Sequence, residues 1–234
     1  MSMKGMRMND VTVVITSSNR HDLLEQTLDS FVRWNTYTRI NGIVLIEDSY
    51  IYPSFVDNNP KYAGYSISVL HTRPRLGQLL SIDVAYKYVN AKYIFHCEDD
   101  WEFYAGGFIE DSIPILESSP RILQAHLRHP EDVFPMGELD YTVDPSGAFA
   151  HIHEGRWGHR RWYGFSFNPG LRRLSDYKRL GSYSGQLLTE AYNGQYFEAY
   201  IGELYKELGY TAAMSFGNAG QGFVRHIGEG RHVT

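Results

Sequence analysis

The chain predicts an α/β fold in which a mostly parallel central sheet is flanked by helices, and three observations carry that expectation. Four short apolar runs, Val11 to Thr16, Gly42 to Ile46, Ser66 to Leu70 and Tyr93 to Cys97, each have the length of a buried strand. Between them the apolar residues recur with helical period, and strands that alternate with amphipathic helices build parallel sheets with right-handed crossovers. Each run also exits into polar residues: Thr16, Asp48, Arg73 with Arg75, and the triplet Glu98-Asp99-Asp100. Ligands of open α/β sheets bind at those carboxyl ends.

Taken in order, Val11-Thr12-Val13-Val14-Ile15-Thr16 is bounded by Ser17-Ser18-Asn19. From Asp22 the spacing of Leu24, Leu28 and Phe31 is helical, with Asn19 and Asp22 as candidate N-terminal caps. Gly42-Ile43-Val44-Leu45-Ile46 runs into Glu47-Asp48, and Ser66-Ile67-Ser68-Val69-Leu70 follows as the third strand. Leu79, Ile82, Tyr86 and Val89 mark a second helix before Tyr93 to Cys97. Beyond Asp100 the pattern loosens. A helix over Phe108 to Leu116 must accommodate Pro114, which lacks a backbone donor, and Ile122 to Leu127 reads as a strand. From His129 to Gly164 there is no clear periodicity among much Pro, Gly, His and Arg, so this stretch reads as a functional loop or as disordered, and a loop that closes over bound donor is expected to be mobile without it. Regularity returns at Gly164 to Phe167, with a helix from Gln195 to Leu208, a short strand over Thr211 to Met214 and a Gly-rich tail.

At 234 residues, 43% hydrophobic and 21% charged, the chain can bury a full core as one domain. A net charge of -5 argues against nucleic-acid binding driven by bulk charge. The single cysteine, Cys97, excludes an internal disulfide and a cysteine-based zinc site, and fits a reducing compartment. No apolar run approaches the roughly twenty residues of a membrane span, and Met1 to Asp10 lacks the apolar core of a signal peptide. The expected location is therefore cytoplasmic.

The most informative stretch is Phe95-His96-Cys97-Glu98-Asp99-Asp100-Trp101. Three adjacent carboxylates at the edge of a core repel one another in a medium that screens poorly, and a hard divalent cation such as Mg²⁺ or Mn²⁺ is the natural compensation. The alternative is a solvated acidic turn.

In this order the residues resemble family 2-type glycosyltransferases of GT-A (Rossmann-like) fold. Val13 to Arg20 followed by the Leu24, Leu28, Phe31 helix is similar to their opening strand, turn and helix. Ile46-Glu47-Asp48-Ser49 resembles their second-strand acidic pair, and Arg75-Leu76-Gly77 their third-strand turn. Glu98-Asp99-Asp100 resembles the EDD form of their metal-binding DXD motif. With Trp101 and Glu102 it is especially similar to N-acetylglucosaminyltransferase I-type enzymes. The resemblance covers Val11 to Ser118 well and only patches afterwards.

The resemblance implies a single GT-A domain, with residues 1–118 binding a nucleotide sugar and 119–234 binding the acceptor and supplying catalysis. It implies a metal-dependent, inverting transfer of a hexosyl or N-acetylhexosaminyl group from a UDP-sugar, with Mn²⁺ or Mg²⁺ as cofactor. Asp100 would ligate the metal, and Glu98 and Asp99 would contact the ribose or metal waters. Asp48 would hydrogen-bond the base in a pocket lined by Thr16, Ser17 and Arg20, while Arg73, Arg75 and the Gly77 turn would reach the base or the phosphates. Otherwise Asp48 caps a turn and the arginines are surface charges. Glu198, in Gln195-Tyr196-Phe197-Glu198, falls where the family's catalytic Asp opens a helix, although Phe197 replaces the usual first acid. It would serve as the base, or else it complements the helix dipole. Next in line as base stand Glu203, Asp176 and Glu154. His226 resembles the C-terminal histidine that returns to the metal or the diphosphate, or is a packed histidine.

His151, His153 and His159 lack the third and fourth ligands of a zinc site. Trp157, Trp162 and Tyr163 offer flat faces to an acceptor, and Arg156, Arg160, Arg161, Arg172 and Arg173 favour an acidic or phosphate-bearing one, lipid-linked glycans with a peripheral membrane contact among them. Two rivals stand beside the transferase. A sugar-nucleotide nucleotidyltransferase calls for a Gly-rich phosphate loop, which Thr16-Ser17-Ser18-Asn19-Arg20 is not; a non-catalytic carbohydrate-binding protein leaves the ordered acids unexplained.

Overall fold

The computed structural model describes residues 9–129, 139–157, 160–186, 197–217 and 221–231. The first strands form as their apolar runs predict. β1 (Val11–Ser17), β2 (Ile40–Glu47), β3 (Ile67–His71) and β4 (Tyr93–Glu98) pair in parallel in the order β3-β2-β1-β4. β1 is buried along its whole length, so its alternate residues serve two cores. Val11, Val13 and Ile15 join Phe95 beneath α1 (His21–Trp34), whereas Val14 joins Ile94 beneath α2 (Gln78–Tyr86). The predicted cap of α1 is absent. Asn19 adopts a left-handed φ of 57° and gives its backbone N–H to the buried Glu47, while Asp22 pairs with Arg231.

After β4 the acidic turn feeds a short strand, β5 (Trp101–Phe103), and α3 (Phe108–Ser118) runs on through Pro114. The sheet then becomes mixed. β6 (Ile122–His126) lies beyond β10 (Gly170–Arg173), which inserts antiparallel between β4 and β6. β11 (Thr211–Ser215) pairs in parallel with β6, and β8 (Phe149–Trp157) pairs antiparallel with β11. Much of the expected irregular stretch is therefore an antiparallel meander of β7 (Leu139–Val143), β8 and β9 (Arg160–Trp162); residues 130–138 lie outside the described residues. β8 buries Phe149, Ala150, Ile152 and Gly155 and exposes His153 and Arg156, a pattern that charge and histidine mask in the sequence.

Two short helices follow β10, α4 (Leu174–Leu180) and α5 (Tyr183–Gln186), and α6 (Phe197–Glu207) precedes β11. The tail is not free coil. β12 (Val224–His226) pairs antiparallel with β5 and sets His226 opposite Trp101. Among the described residues no helix is long and apolar enough to cross a membrane.

Candidate active site

A cleft of about 670 Å³ opens at the carboxyl ends of β1, β2 and β4. One end is lined by Thr16, Ser17, Asp48, Arg75 and Gly77, the floor by Glu98, Asp99, Asp100, Arg20 and His226, and the far wall by Asn168, Phe197 and Glu198. Of the residues expected at a nucleotide-sugar site, these are brought together; Arg73 is not, because its Nη2 turns outward to the Tyr50 carbonyl at 2.6 Å.

α1 sets the acidic turn. The Thr27 hydroxyl donates to the Asp99 carbonyl at 2.8 Å and accepts from the Trp101 backbone at 3.1 Å, so the triplet cannot slide along the cleft floor. Arg20 forks across two of its acids, pairing with Asp99 and, through Nη1, with Asp100 Oδ2 at 2.8 Å. His226 Nε2 approaches the same Asp100 oxygen at 3.3 Å. Asp100 Oδ1 is buried with no hydrogen-bond partner. Burial raises Asp100, but His226 and Arg20 outweigh it and hold the carboxyl below its ordinary value. Asp99 goes the other way: burial pushes it up to about 6 in spite of Arg20. Glu98, bonded to the Gln78 amide at 2.7 Å, is pushed well up by burial and by the charges of Asp100, Glu198 and Asp99.

A divalent cation fits this floor. Asp100 Oδ1 lacks a partner and His226 lies beside the same carboxylate. Among the described residues no cluster of three or more His, Cys, Asp or Glu side chains would hold a metal by itself, so the remaining ligands must come from a bound anion and water.

Asp48 is tied to the β3–α2 turn. Its oxygens accept the backbone N–H groups of Leu76 (2.7 Å) and Gly77 (2.8 Å), and Oδ1 also accepts the Thr72 hydroxyl. Oδ2 keeps acceptor capacity toward the cleft. Gly77 begins α2 with φ 79°, which favours glycine there.

Glu198 stands in the first turn of α6, where its Oε1 accepts from the Ser166 hydroxyl at 3.0 Å and from the Phe167 backbone N–H. Burial raises it; those two donors and the Arg172 charge only partly offset the rise. An acid so placed is a stronger base once ionised. The other candidate bases lie elsewhere: Glu203 is exposed, Asp176 is bonded to Arg173 and Tyr210, and Glu154 pairs with Arg156 and Arg161.

The expected acceptor residues are not gathered at the cleft. Trp162 is 3% exposed and donates its indole N–H to the Phe165 carbonyl, Tyr163 lies under Lys206, and the Trp157 and Arg160 side chains fall outside the described residues. Arg172 is buried in the core and Arg173 is consumed by the carbonyls of Ile122 and Ser119. His151 and His153 bond separately to Asp144 and Thr142, and His159 is outside the described residues. Sequence reasoning missed Arg128, whose guanidinium lies 5.2 Å from the Trp101 ring at the cleft, together with Gln78 and Asn168. It also missed Gly228, beside Asp100, where a Cβ would lie 2.5 Å from Oδ2. These residues come from separate connections, after β6, before β10, at the start of α2 and after β12, so nothing in the sequence order joins them.

No protein-family model and no curated protein matches this chain. Solved structures do. The mannosyltransferase PcManGT from Pyrobaculum calidifontis, in complex with GDP-Man and Mn²⁺, superposes with a TM-score of 0.60 at 14% identity, over 88% of this chain and 55% of that one. GalNAc-T7 with UDP, GalNAc and Mn²⁺ gives 0.63 at 13% identity over 90% and 43%. TarS residues 1–349 from S. aureus gives 0.59 at 12% identity over 92% and 59%. The chain spans about half the length of these proteins, and the likeness is one of fold: the sheet, its flanking helices and their order are of GT-A type.

Proposed function

We propose that this chain is a metal-dependent, inverting glycosyltransferase that moves a sugar from a nucleotide sugar, UDP-linked on the family 2 resemblance, to an acceptor hydroxyl. The observation that carries the reading is the buried, unpartnered Oδ1 of Asp100 beside His226, on the floor of a cleft whose far wall presents Glu198. The solved structures of like fold support it, since two of them were determined with nucleotides or nucleotide sugars and Mn²⁺. One was bound to GDP-Man and another to UDP, so the choice of UDP rests on sequence resemblance.

In this reading Glu98-Asp99-Asp100 is the DXD-type motif. Asp100 and His226 would hold Mn²⁺ or Mg²⁺, which when bound supplies positive charge to the departing diphosphate. Asp48 Oδ2 would accept from the base, Thr16 and Ser17 would line its pocket, and Arg20 and Arg75 would lie along the ribose and phosphates. Arg20 already balances the negative charge of Asp99 and Asp100, so donor binding need not move it. Glu198 would take the proton of the acceptor hydroxyl as it attacks the sugar carbon from the face opposite the leaving diphosphate, which inverts the anomeric centre. Residues 1–118 would then bind the donor, and 119–234 the acceptor.

Incubation with UDP- and GDP-sugars, with Mn²⁺ or with chelator, and with or without added pyrophosphate, tests the reading by phosphorus NMR. Metal-dependent release of a nucleoside diphosphate is expected; consumption of added pyrophosphate to give a nucleoside triphosphate and sugar 1-phosphate would favour a nucleotidyltransferase, and no change in any donor would count against transfer.

A further inference from the structure

Among the described residues, Arg172 is the one buried arginine, and its charge acts on Glu198. Arg172, on β10, is 1% exposed, and its guanidinium lies over the rings of Phe165 and Phe167 at 5.2 and 5.9 Å. Its Nη2 donates to the Ser166 carbonyl at 2.9 Å, and its Nε and Nη1 make no hydrogen bond. Among the described residues no carboxylate forms a direct ion pair with it. A guanidinium removed from water without a nearby anion is costly, so the placement calls for one. Ser166 supplies the link. Its carbonyl takes Arg172, and its hydroxyl donates to Glu198 Oε1, which also accepts the Phe167 N–H.

The charged groups around Glu198 pull in opposite senses. Glu98, on β4, repels it across the cleft, whereas Arg172 attracts it from beneath. His96, also on β4, is held neutral by burial and by the Arg172 charge, and bonds to the Tyr86 hydroxyl at 3.0 Å. Tyr183 and Tyr205 complete the wall around the guanidinium without adding charge at neutral pH. Arg172 is thus the cation that favours an ionised Glu198 from the protein interior.

We propose that Arg172 is a positioning residue for Glu198: through Ser166 it sets the carboxylate at the cleft wall, and its buried guanidinium stands behind that carboxylate as the counter-charge to its ionised form. The proposal rests on the reading of Glu198 as the base, and its test separates the two. Glu198 in Arg172→Met and Arg172→Lys is titrated by carboxyl carbon NMR, its signal assigned by loss in Glu198→Gln, and the pH profile of sugar transfer is recorded on the same proteins. In Arg172→Met the Glu198 titration and the acid limb of the rate profile both move up, with the rate regained at alkaline pH; Arg172→Lys, which keeps a cationic group but not the fork stacked on Phe165 and Phe167, moves both less than Arg172→Met does. An unmoved Glu198 titration overturns the proposal. A titration that moves under an unmoved rate profile upholds it and refutes Glu198 as the base. If Arg172→Met does not fold, the double variant with Glu198→Gln decides: recovery of a cooperative melt supports the charge link, and a double variant as unfolded as the single overturns it.

Discussion

Replacing Gly228 by alanine places one methyl group against the proposed metal ligand. The new Cβ would lie 2.5 Å from Asp100 Oδ2, 2.6 Å from its Cβ and 2.9 Å from its Cγ, whereas ordinary contact begins at 3.4 Å. Something must therefore yield by nearly an ångström. Neither side is free to do so: Asp100 Oδ2 is held by Arg20 at 2.8 Å and His226 at 3.3 Å, and the Ile227 N–H is bonded to the Asp100 carbonyl at 2.8 Å. Gly228 does not sit in the left-handed region, so the backbone accepts alanine and the effect is steric. Overpacking of this kind costs about 1–3 kcal/mol. For a chain of this length each kcal/mol lowers Tm by roughly 2–4 °C. A misplacement of about 1 Å at a positioned group costs on the order of 10²-fold. Calorimetric titration of UDP with and without Mn²⁺ should show the metal-dependent gain in affinity reduced by that order and the metal-free affinity unchanged. Gly64→Ala, where a Cβ meets nothing within 4 Å, is the control and should behave as wild type. A Gly228→Ala protein with wild-type Tm and wild-type metal-dependent affinity would refute the reasoning.

Asp100→Asn keeps volume and removes charge, so it should abolish metal-dependent UDP binding while far-UV circular dichroism stays native. Asp48→Ala should weaken UDP binding with and without metal, and because it frees the N–H groups of Leu76 and Gly77 it should also lower Tm. Glu198→Gln should cut transfer by roughly 10² to 10⁴ with donor affinity intact. Its stability has a definite sign. The folded value of Glu198 is raised, chiefly by burial, so its contribution to folding is fully present below the ordinary glutamate value and is lost as pH rises through the folded one. Glu198→Gln removes this pH-dependent loss, so its Tm relative to wild type should improve as pH rises from acid to 8, whatever constant cost comes from leaving Arg172 without its anion; a variant that loses ground against wild type as pH rises would mean that the ionised carboxylate is structural.

The donor half was legible because β1 and β4 are buried on both faces and α1 buries one, which leaves two clear periods in the residues from Val11 to Cys97. The carboxylates of Glu98, Asp99 and Asp100 were legible because adjacency itself signals repulsion. The rest was not, for particular reasons. β5 and β12 are three residues long and carry no period, so the return of His226 to Asp100 comes from pairing across more than a hundred residues. Trp162 and Arg172 read as surface groups because their neighbours in sequence are basic, yet burial is decided by the β8–β11 and β4–β10 pairings. The Asn19 cap fails since Glu47, a strand away, captures its N–H.

The central claim is met most directly by a crystal structure with intact UDP-sugar and Mn²⁺. The account predicts the metal on Asp100 and His226, the base beside Asp48, and the sugar facing Glu198. A metal bound elsewhere, or a donor whose sugar carbon lies away from Glu198, would contradict it.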